Sequence, residues 1–254
     1  MTQLLPLLPL WQNLERQLFD LFSVLSLPAI EQSPIVIVEI DQPSISALNL
    51  QLPWPRGIYG DLIAQLDAAG AAVIGVDVVF AGESFAEEDG RLAEAIAGAG
   101  TVVLAADIEQ TQRQQFNLVE RVDPAAIFLE AGAVPGLALV ELDPDNRLRR
   151  IPTGDGYFWQ RLATAYSGNE ANQLAAESGQ TKWIRYFSPA QTFQYYSVYQ
   201  VLEGLVPPEN FSNKVVLVGL NLRTQAQPGE QPPDTFLTPL FYQEGLTTGV
   251  EVQA

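Results

Sequence analysis

The sequence contains no cysteine and no histidine among its 254 residues. These absences exclude disulfide bonds, cysteine nucleophiles, zinc fingers and catalysis by a histidine acid or base. A metal site would have to be built from carboxylates, which suit a hard cation better than zinc. No residue pattern indicates such a site or a cofactor, so we expect neither a metal nor a cofactor.

Basic residues are also scarce: 13 lysines and arginines stand against 30 acidic residues, and the formal net charge is -17. Binding to nucleic acid or to an anionic membrane surface needs clustered cations that contact the phosphates. The composition therefore opposes a nucleic-acid partner and predicts an acidic, soluble surface. With 47% hydrophobic residues, the chain can still bury a substantial core.

Long apolar runs are missing, since no stretch approaches the roughly 18 residues that span a bilayer. The opening LLPLLPLW is short, is interrupted by proline and lacks a basic start, so it is a poor signal peptide. It is either a segment that follows a membrane helix or a chain end without fixed structure.

Catalytic motifs are missing as well. The sequence has no G-x-S-x-G elbow, no Walker A loop and no G-x-G-x-x-G turn after a strand. Pairs of acidic residues are plentiful, but in so acidic a chain they occur by chance. We therefore predict that the chain is not an enzyme.

The residues that are present alternate between strand-like and helix-like patterns. Continuous apolar runs at Ile35–Ile40, Val73–Phe80 and Thr101–Ala106 predict strands buried on both faces, as in a parallel sheet. Apolar spacings of three and four residues predict helices from Ile58 onward and over Asp89–Ala97. This alternation is typical of right-handed parallel units. The predicted fold class is α/β, a single domain with a mainly parallel central sheet flanked by helices.

The rest of the chain adds a hairpin insertion and further elements. A turn sequence, DPDN, separates the strand-like runs Leu137–Leu142 and Arg147–Ile151 and predicts the hairpin. Asp123 is predicted to cap a short helix that begins at Pro124. The remaining predicted elements are a helix over Tyr157–Tyr166, a strand over Trp183–Phe187, a helix after the cap Ser197, a buried strand over Lys214–Gly219 and a long loop over Arg223–Pro233.

An amphipathic helix is predicted near the start, because Trp11–Leu27 carries apolar side chains at spacings of three and four. Pro28 and Pro34 end it and leave a hinge before the first strand. The helix either packs on the domain or forms a membrane-proximal stalk, and the two are compatible. We therefore divide the chain into a helix and hinge over 1–34 and the domain proper over 35–254.

Aspartates follow three of the predicted strands, at Asp41, Asp77 and Asp107. In an open parallel sheet, the carboxyl ends of the strands border the usual ligand crevice. Aspartates at such ends also form turns that need no ligand. The turn interpretation is favoured for Asp107, while both interpretations stay open for Asp41 and Asp77.

The cluster PWPR, which ends at Arg56, leads into the second predicted helix. Proline suits a first helical turn, and Trp54 can wedge against the sheet. Arg56 close to a helix N-terminus opposes the helix dipole, so it either pairs with a carboxylate or receives an anion together with the helix amides. Asp41 and Asp77 are the obvious carboxylate partners. The candidate ligand-binding residues are therefore Asp41, Arg56 and Asp77, with Trp54 as a wall.

Arg149 is a secondary candidate for the site. It is adjacent to Arg150, so on a strand the two side chains face opposite sides and one of them can reach an acidic site. A single surface ion pair is the simpler interpretation.

Nine segments resemble the CHASE2 domain family, in the family's order and over about residues 35–254. Each segment alone is weakly specific, whereas nine in the right order are specific evidence. They are IVIVEID, LPWPR, AAGAAVIGVDVVF, AGTVVLAA, ELDPDNRLRRIP, WIRYFSP, FSNKVVLVG, DTFLTP and TGVEVQA. Two features depart from the family: the loop before Asp234 is expanded, and Gln253 stands where the family typically carries a histidine. Asp234 keeps its position and is the other secondary candidate for the site.

The resemblance implies an extracytoplasmic sensor module of a bacterial membrane receptor. Similar proteins have one membrane helix before the domain, usually three after it, and then a cytoplasmic output module. Such modules include adenylate or guanylate cyclases, histidine or serine/threonine kinases and diguanylate cyclases. The chain is therefore expected to be a sensor domain excised from a receptor, at the periplasmic face of the cell membrane.

Two functions are compatible with this resemblance. In the first, an unknown small-molecule or ionic signal favours one arrangement of the chain connections and so biases the output. In the second, the domain is a dimerisation module without a small ligand, for which Trp11–Leu27 is the best support. A homodimer is the expected assembly. For the first function, Ile35–Ile40 and the final GVEVQA are predicted to lie side by side in one sheet, so that a small change reaches both exits.

Overall fold

The computed structural model describes residues 9–25, 33–113, 116–154, 156–168, 181–187, 193–222, 232–240 and 246–254. The described α-helices are α1 (Pro9–Leu25), α2 (Gln42–Leu48), α3 (Arg56–Ala68), α4 (Ala86–Gly98), α5 (Ala126–Glu130), α6 (Phe158–Ser167), α7 (Val198–Leu202) and α8 (Gly249–Gln253), and Pro208–Asn210 forms a 3-10 helix. The described strands are β1 (Ile35–Asp41), β2 (Val73–Val76), β3 (Thr101–Arg113), β4 (Phe116–Val122), β5 (Val134–Leu137), β6 (Glu141–Leu142), β7 (Leu148–Pro152), β8 (Thr181–Trp183), β9 (Gln194–Ser197), β10 (Val215–Asn221), β11 (Thr235–Phe236) and β12 (Thr247–Thr248).

A seven-stranded sheet forms the centre, in the order β4-β3-β2-β10-β1-β9 with β5 beside β3. In this sheet β4 is antiparallel to its neighbour, and the other pairs are parallel. β10, late in the chain, inserts between β1 and β2 and pairs with β1 from Ile35–Val215 to Asp41–Asn221. The mainly parallel α/β sheet predicted from the sequence is confirmed.

Both faces of the sheet are buried, which explains the continuous apolar runs. On β1, the alternating residues Val36 and Val38 pack into the core with α2, α3, α4 and α7. Ile37 points to the other face, where it shares a second core with Phe158 of α6 and Val250 of α8. A strand that lacks a solvent face has no polar alternation, so its sequence is apolar throughout.

Several predicted strand boundaries were wrong. β2 ends at Val76, and residues 77–80, which were predicted to continue it, are not in a strand. β3 is longer than predicted and continues through Asp107 to Arg113, because its second half pairs with β4. In the strand predicted over Trp183–Phe187, residues 184–187 are not in a strand. Most of the predicted loop, 223–231, lies outside the described residues.

The two predicted helix caps had different outcomes. Asp123 does not cap α5, because its carboxylate accepts a hydrogen bond from Arg121 at 2.7 Å and the helix begins at Ala126. The predicted cap Ser197 is confirmed, with a capping box to Gln200 at the start of α7.

The predicted hairpin is confirmed as β6 and β7, and β8 adds a third antiparallel strand. Its first strand is shorter than the predicted Leu137–Leu142, because Leu137 ends β5 of the central sheet and residues 138–140 are not in a strand. Helix α1 packs against this small sheet through the side that carries Phe19 and Asp20. Asp20 bonds Arg149, and the ring of Phe19 lies 4.4 Å from that of Trp183. The apolar row on the opposite side of α1 therefore faces away from the domain. None of the described helices is both long and apolar enough to cross a membrane.

The two ends of the domain meet, as predicted, but not in one sheet. GVEVQ is the helix α8, begun by a capping box between Thr248 and Glu251. It packs on β10 so closely that a Cβ added to Gly219 would lie 2.6 Å from the Cβ of Val250. At its other end, Ala254 and Ile35 line the same cavity at the amino-terminal edge of the sheet. The predicted proximity is confirmed, and the predicted strand is wrong.

Candidate functional site

Two adjoining crevices lie at the carboxyl-terminal edge of the sheet, where the sequence predicted a ligand. The first has a volume of about 600 Å³ and includes Trp54, Arg56 and Phe85 among its lining residues. The second has about 590 Å³, and its lining residues include three acidic ones. Pro53 and Tyr59 belong to both walls, so the crevices are neighbours rather than separate regions. The acidic residues of the second crevice are Asp77, Asp107 and Asp234.

Arg56 is held by internal partners at the start of α3. Its guanidinium donates to the carbonyl oxygens of Ala81 and Gly82 at 2.9 and 3.0 Å and to Asp89 Oδ1 at 2.9 Å. The guanidinium also lies 5.4 Å from the ring centroid of Phe128, a cation–π distance. The predicted pairing with Asp41 or Asp77 is therefore wrong, since Arg56 pairs with Asp89.

Asp89 is the partner that sequence reasoning missed. Its other oxygen accepts a hydrogen bond from the backbone N–H of Ser84 at 2.7 Å, so the carboxylate fastens both Arg56 and the loop before α4. The signal was the acidic first turn of α4, which carries Glu87, Glu88 and Asp89. Periodicity could not show which of the three points inward.

Trp54 lies in the wall of the first crevice. It is 4% exposed, its indole Nε1 donates to the carbonyl of Leu50 at 3.2 Å, and its ring centroid lies 6.1 Å from that of Tyr59. The indole therefore presents an apolar surface to the first crevice, with its one polar atom already bonded.

Asp77 and Asp234 have raised pKa values in the second crevice. Burial is the larger cause for Asp77, and the negative charges of Asp234 and Asp107 add to it, which together raise its pKa to about 7. Burial raises the pKa of Asp234 to about 6. This pair of carboxyl groups therefore changes charge near neutral pH. Among the described residues, no group of three or more acidic side chains is arranged to hold a metal ion.

Asp41 lines neither crevice and has a structural role. It caps α2 by accepting the backbone N–H of Ser44 at 2.9 Å and the Ser44 hydroxyl at 2.6 Å. Its second oxygen accepts the hydroxyl of Ser197 at 2.5 Å, which joins the starts of α2 and α7. The contacts of Asp41 therefore agree with the interpretation of this residue as a turn former that needs no ligand. The helix that it caps, α2, was not predicted from the sequence.

Arg149 is buried on the small sheet and lines neither of the two crevices. It is 1% exposed and bonds three carboxylates: Asp20 at 2.7 Å, Asp143 at 2.9 Å and Asp145 at 2.7 Å. Burial alone would lower the pKa of Arg149, but these hydrogen bonds outweigh it and raise the pKa above its usual value. Arg150 also contacts Asp143, so the expected surface ion pair is wrong and both neighbours reach one carboxylate.

The structure thus divides the candidate residues. Trp54 and Arg56 share one crevice, and Asp77 and Asp234 share the next. The other two, Asp41 and Arg149, are each committed to structural contacts elsewhere. A ligand-binding role for these residues stays a prediction. The geometry favours the candidates that line a crevice and form no ion pair with any described residue, which are Asp77, Asp234 and Trp54.

A comparison with family models matches the CHASE2 domain over residues 1–254, the whole chain. A comparison with curated proteins and one with solved structures each found no significant match. CHASE2 domains are extracellular sensory domains of receptors such as cyclases and kinases. The nine segments, the parallel sheet and this match over the full length agree, and the chain belongs to the CHASE2 domain family.

Proposed function

We propose that this domain is the sensory input of a membrane-bound receptor at the periplasmic face of a bacterial cell membrane. Signal binding would shift the arrangement of the two chain connections and so control a cytoplasmic nucleotide cyclase or kinase. The observation that supports this proposal is the meeting of the two ends: Ser33 and Ile35 line the same cavity as Val252 and Ala254.

The fold supplies a reason for coupling between these ends. β1 is the second strand from one edge of the sheet, and α8 packs across its neighbour β10. A change in the position of α8 therefore moves Ala254 relative to Ile35 without any rearrangement of the sheet. A ligand that binds one position of α8 more tightly than another favours that position, and so biases the output module to which the two ends connect. The size of the bias is set by the difference in affinity for the two positions.

A covalent link between the ends tests this proposal. We expect that Ser33→Cys with Ala254→Cys, bridged by a short thiol-specific cross-linker in the membrane-bound receptor, fixes the output at one level that no stimulus changes. The 254 residues contain no cysteine of their own, so the pair is selective within the domain. The measurement is the activity of the output module with and without the cross-linker.

A matched pair controls for the chemistry. Asp61→Cys with Arg91→Cys joins α3 to α4, where the native side chains are exposed and bonded at 2.6 Å. That link should leave the output free to respond. If both cross-linked pairs lock the output equally, or neither does, the ends do not carry the signal.

The same Asp61→Cys variant tests the proposed location. A membrane-impermeant maleimide should label it from outside the cytoplasmic membrane.

A second candidate function is receptor dimerisation through α1. The helix exposes a row of apolar side chains, from Leu18 at 43% and Phe22 at 60% to Leu25 at 70%, while Asp20 and Phe19 hold its other side to the domain. A contiguous exposed apolar surface of this kind is typical of an interaction site. A second copy of the helix would cover it without any small ligand.

Polar substitution on α1 separates this function from the first. We expect Leu18→Ser with Phe22→Ser to raise the dimer dissociation constant at least tenfold, because the buried apolar area would be lost. Analytical ultracentrifugation measures it. Leu205→Ser, which replaces another exposed leucine, is the matched control and should change nothing. Equal self-association of the double variant and the wild type would remove α1 from the interface.

A further inference from the structure

An apolar cavity of about 670 Å³ lies at the amino-terminal edge of the sheet, opposite the edge with the aspartates. Its walls come from five parts of the fold: the starts of β1 and β10, one side of α6, the small sheet near β8, and the end of α8. Trp159, Leu162 and Val252 give these walls a mostly apolar surface. The volume falls within the roughly 300–1,000 Å³ of small-molecule sites.

The charge of this cavity is opposite to that of the chain. Among the described residues that line it, Lys182 and Arg185 have basic side chains and none has an acidic one. The chain has 30 acidic residues and only 13 basic ones. A cavity wall with two cationic side chains and no acidic one therefore differs from what this composition would give by chance. Basic groups beside low-dielectric apolar walls concentrate the field and attract an anion.

A buried amide adds a hydrogen-bonding group. Gln253 lines the cavity and is 6% exposed, and its Oε1 has no hydrogen-bond partner among the residues that the structure describes. An unpaired buried carbonyl keeps its desolvation penalty until a donor satisfies it. Rotation of the side-chain amide would let it meet a donor that occupies the cavity.

We propose that this cavity binds a small organic acid with an apolar body. The body lies against the apolar walls, and the carboxylate is held by Lys182 and Arg185. A hydrogen-bond donor on the ligand, such as a hydroxyl group, is satisfied by Gln253. The charge complementarity selects the acid over its neutral analogues. The indole rings of Trp159 and Trp183 in the walls favour a rigid aromatic body over a flexible chain, which loses more conformational entropy on binding.

This proposal rests on the proposed sensory function, to which it adds the class of signal. The cavity is walled at once by Ile35 of β1 and by Val252 and Gln253 of α8, the two elements that lead to the chain ends. A ligand there contacts both elements directly. It can therefore favour one of their relative positions without any path through the rest of the domain.

Calorimetric titration of the 254-residue chain tests the proposal with three probes: 4′-hydroxybiphenylacetate, its uncharged amide, and dodecanoate. The chain is prepared as its carboxyl-terminal amide, so that Ala254 adds no negative charge to the cavity wall. We expect saturable binding of the aromatic acid with one site per chain, and at least tenfold weaker binding of the amide. Arg185→Gln should weaken the acid about tenfold and leave the amide unchanged, because Arg185 is exposed and acts on the charge alone. Arg91→Gln, which removes an exposed arginine from α4, is the matched control and should alter neither affinity.

The second variant fills the cavity with a large side chain. Ala163→Trp places an indole into the space from α6, and it should abolish binding while circular dichroism shows an unchanged fold. Equal binding of acid and amide, full binding by Ala163→Trp, or binding of dodecanoate without the aromatic acid would overturn the proposal. Absence of binding together with a functional cross-link effect would reject this ligand class and leave the sensory function standing.

Discussion

Arg149→Met should lower the free energy of unfolding by about 3–5 kcal/mol, because it removes the central cation from a buried ionic cluster. Arg147 and Arg150 remain beside the carboxylates but compensate them only in part. Arg149 is 1% exposed and Asp143 is 6% exposed, so water cannot replace the bond between them without opening the structure. For a chain of this size, the loss corresponds to a fall in melting temperature of roughly 10 °C. Thermal and urea unfolding followed by circular dichroism measure it.

The same variant should loosen α1, because Asp20 holds the helix to the domain through Arg149 and Arg147 and only Arg147 would remain. Limited proteolysis should therefore cut α1 faster in Arg149→Met than in the wild type. Arg121→Met is the matched control: its pair with Asp123 is more than 40% exposed on both sides, and such pairs contribute about 0–1 kcal/mol. A loss below about 1 kcal/mol in Arg149→Met would show that the cluster specifies the position of α1 without stabilising the fold.

Asp77→Asn should stabilise the domain, and more at alkaline than at acidic pH. Between about pH 4 and 7, the folded state keeps a proton on Asp77 that the unfolded state has released, so wild-type stability falls as the pH rises through this window. The amide cannot ionise and escapes this loss. We expect the gain in free energy of unfolding to be roughly 2 kcal/mol larger at pH 8 than at pH 5, a value reduced for the partial exposure of Asp77.

Melting temperatures of both proteins between pH 4 and 8 measure this difference. Glu94→Gln, which replaces an exposed carboxylate on α4, controls for the loss of one negative charge and should run parallel to the wild type. Parallel pH profiles for Asp77→Asn and the wild type would show that Asp77 is ionised without cost, and that it holds no proton near neutral pH.

The sequence predicted the central sheet because its strands are buried on both faces. β1, β2, β3 and β10 are apolar runs bounded by turns, and all four were found. β9 was missed because Gln194–Ser197 is a partly exposed edge strand with polar residues. GVEVQ was expected beside β1 in the sheet, but the capping box at Thr248 and packing on β10 make it a helix.

The candidate site was harder to predict, for a physical reason. Trp54 and Asp77 each line a crevice, but the partners of the other candidates depend on contacts between residues far apart in the chain. Arg56 and its partner in α4 are 33 positions apart, and Arg149 and Asp20 are 129 apart, so no local pattern links them. Charge periodicity also gives no sign that an arginine such as Arg149 will be buried.

Helix α8 connects the two edges of the sheet. It starts beside Asp234, whose carbonyl accepts the N–H of Gly249 at 2.9 Å, and it ends at the cavity that Ile35 shares. Five helical residues span about 7 Å, so α8 is a short helix. Its first residue lies beside an aspartate, and its last residues line the apolar cavity. Because Val250 packs so closely on Gly219 that no Cβ would fit between them, α8 can shift along β10 but not toward it. The aspartate crevice and the apolar cavity therefore border opposite ends of one helix, so a shift of α8 along β10 would alter both.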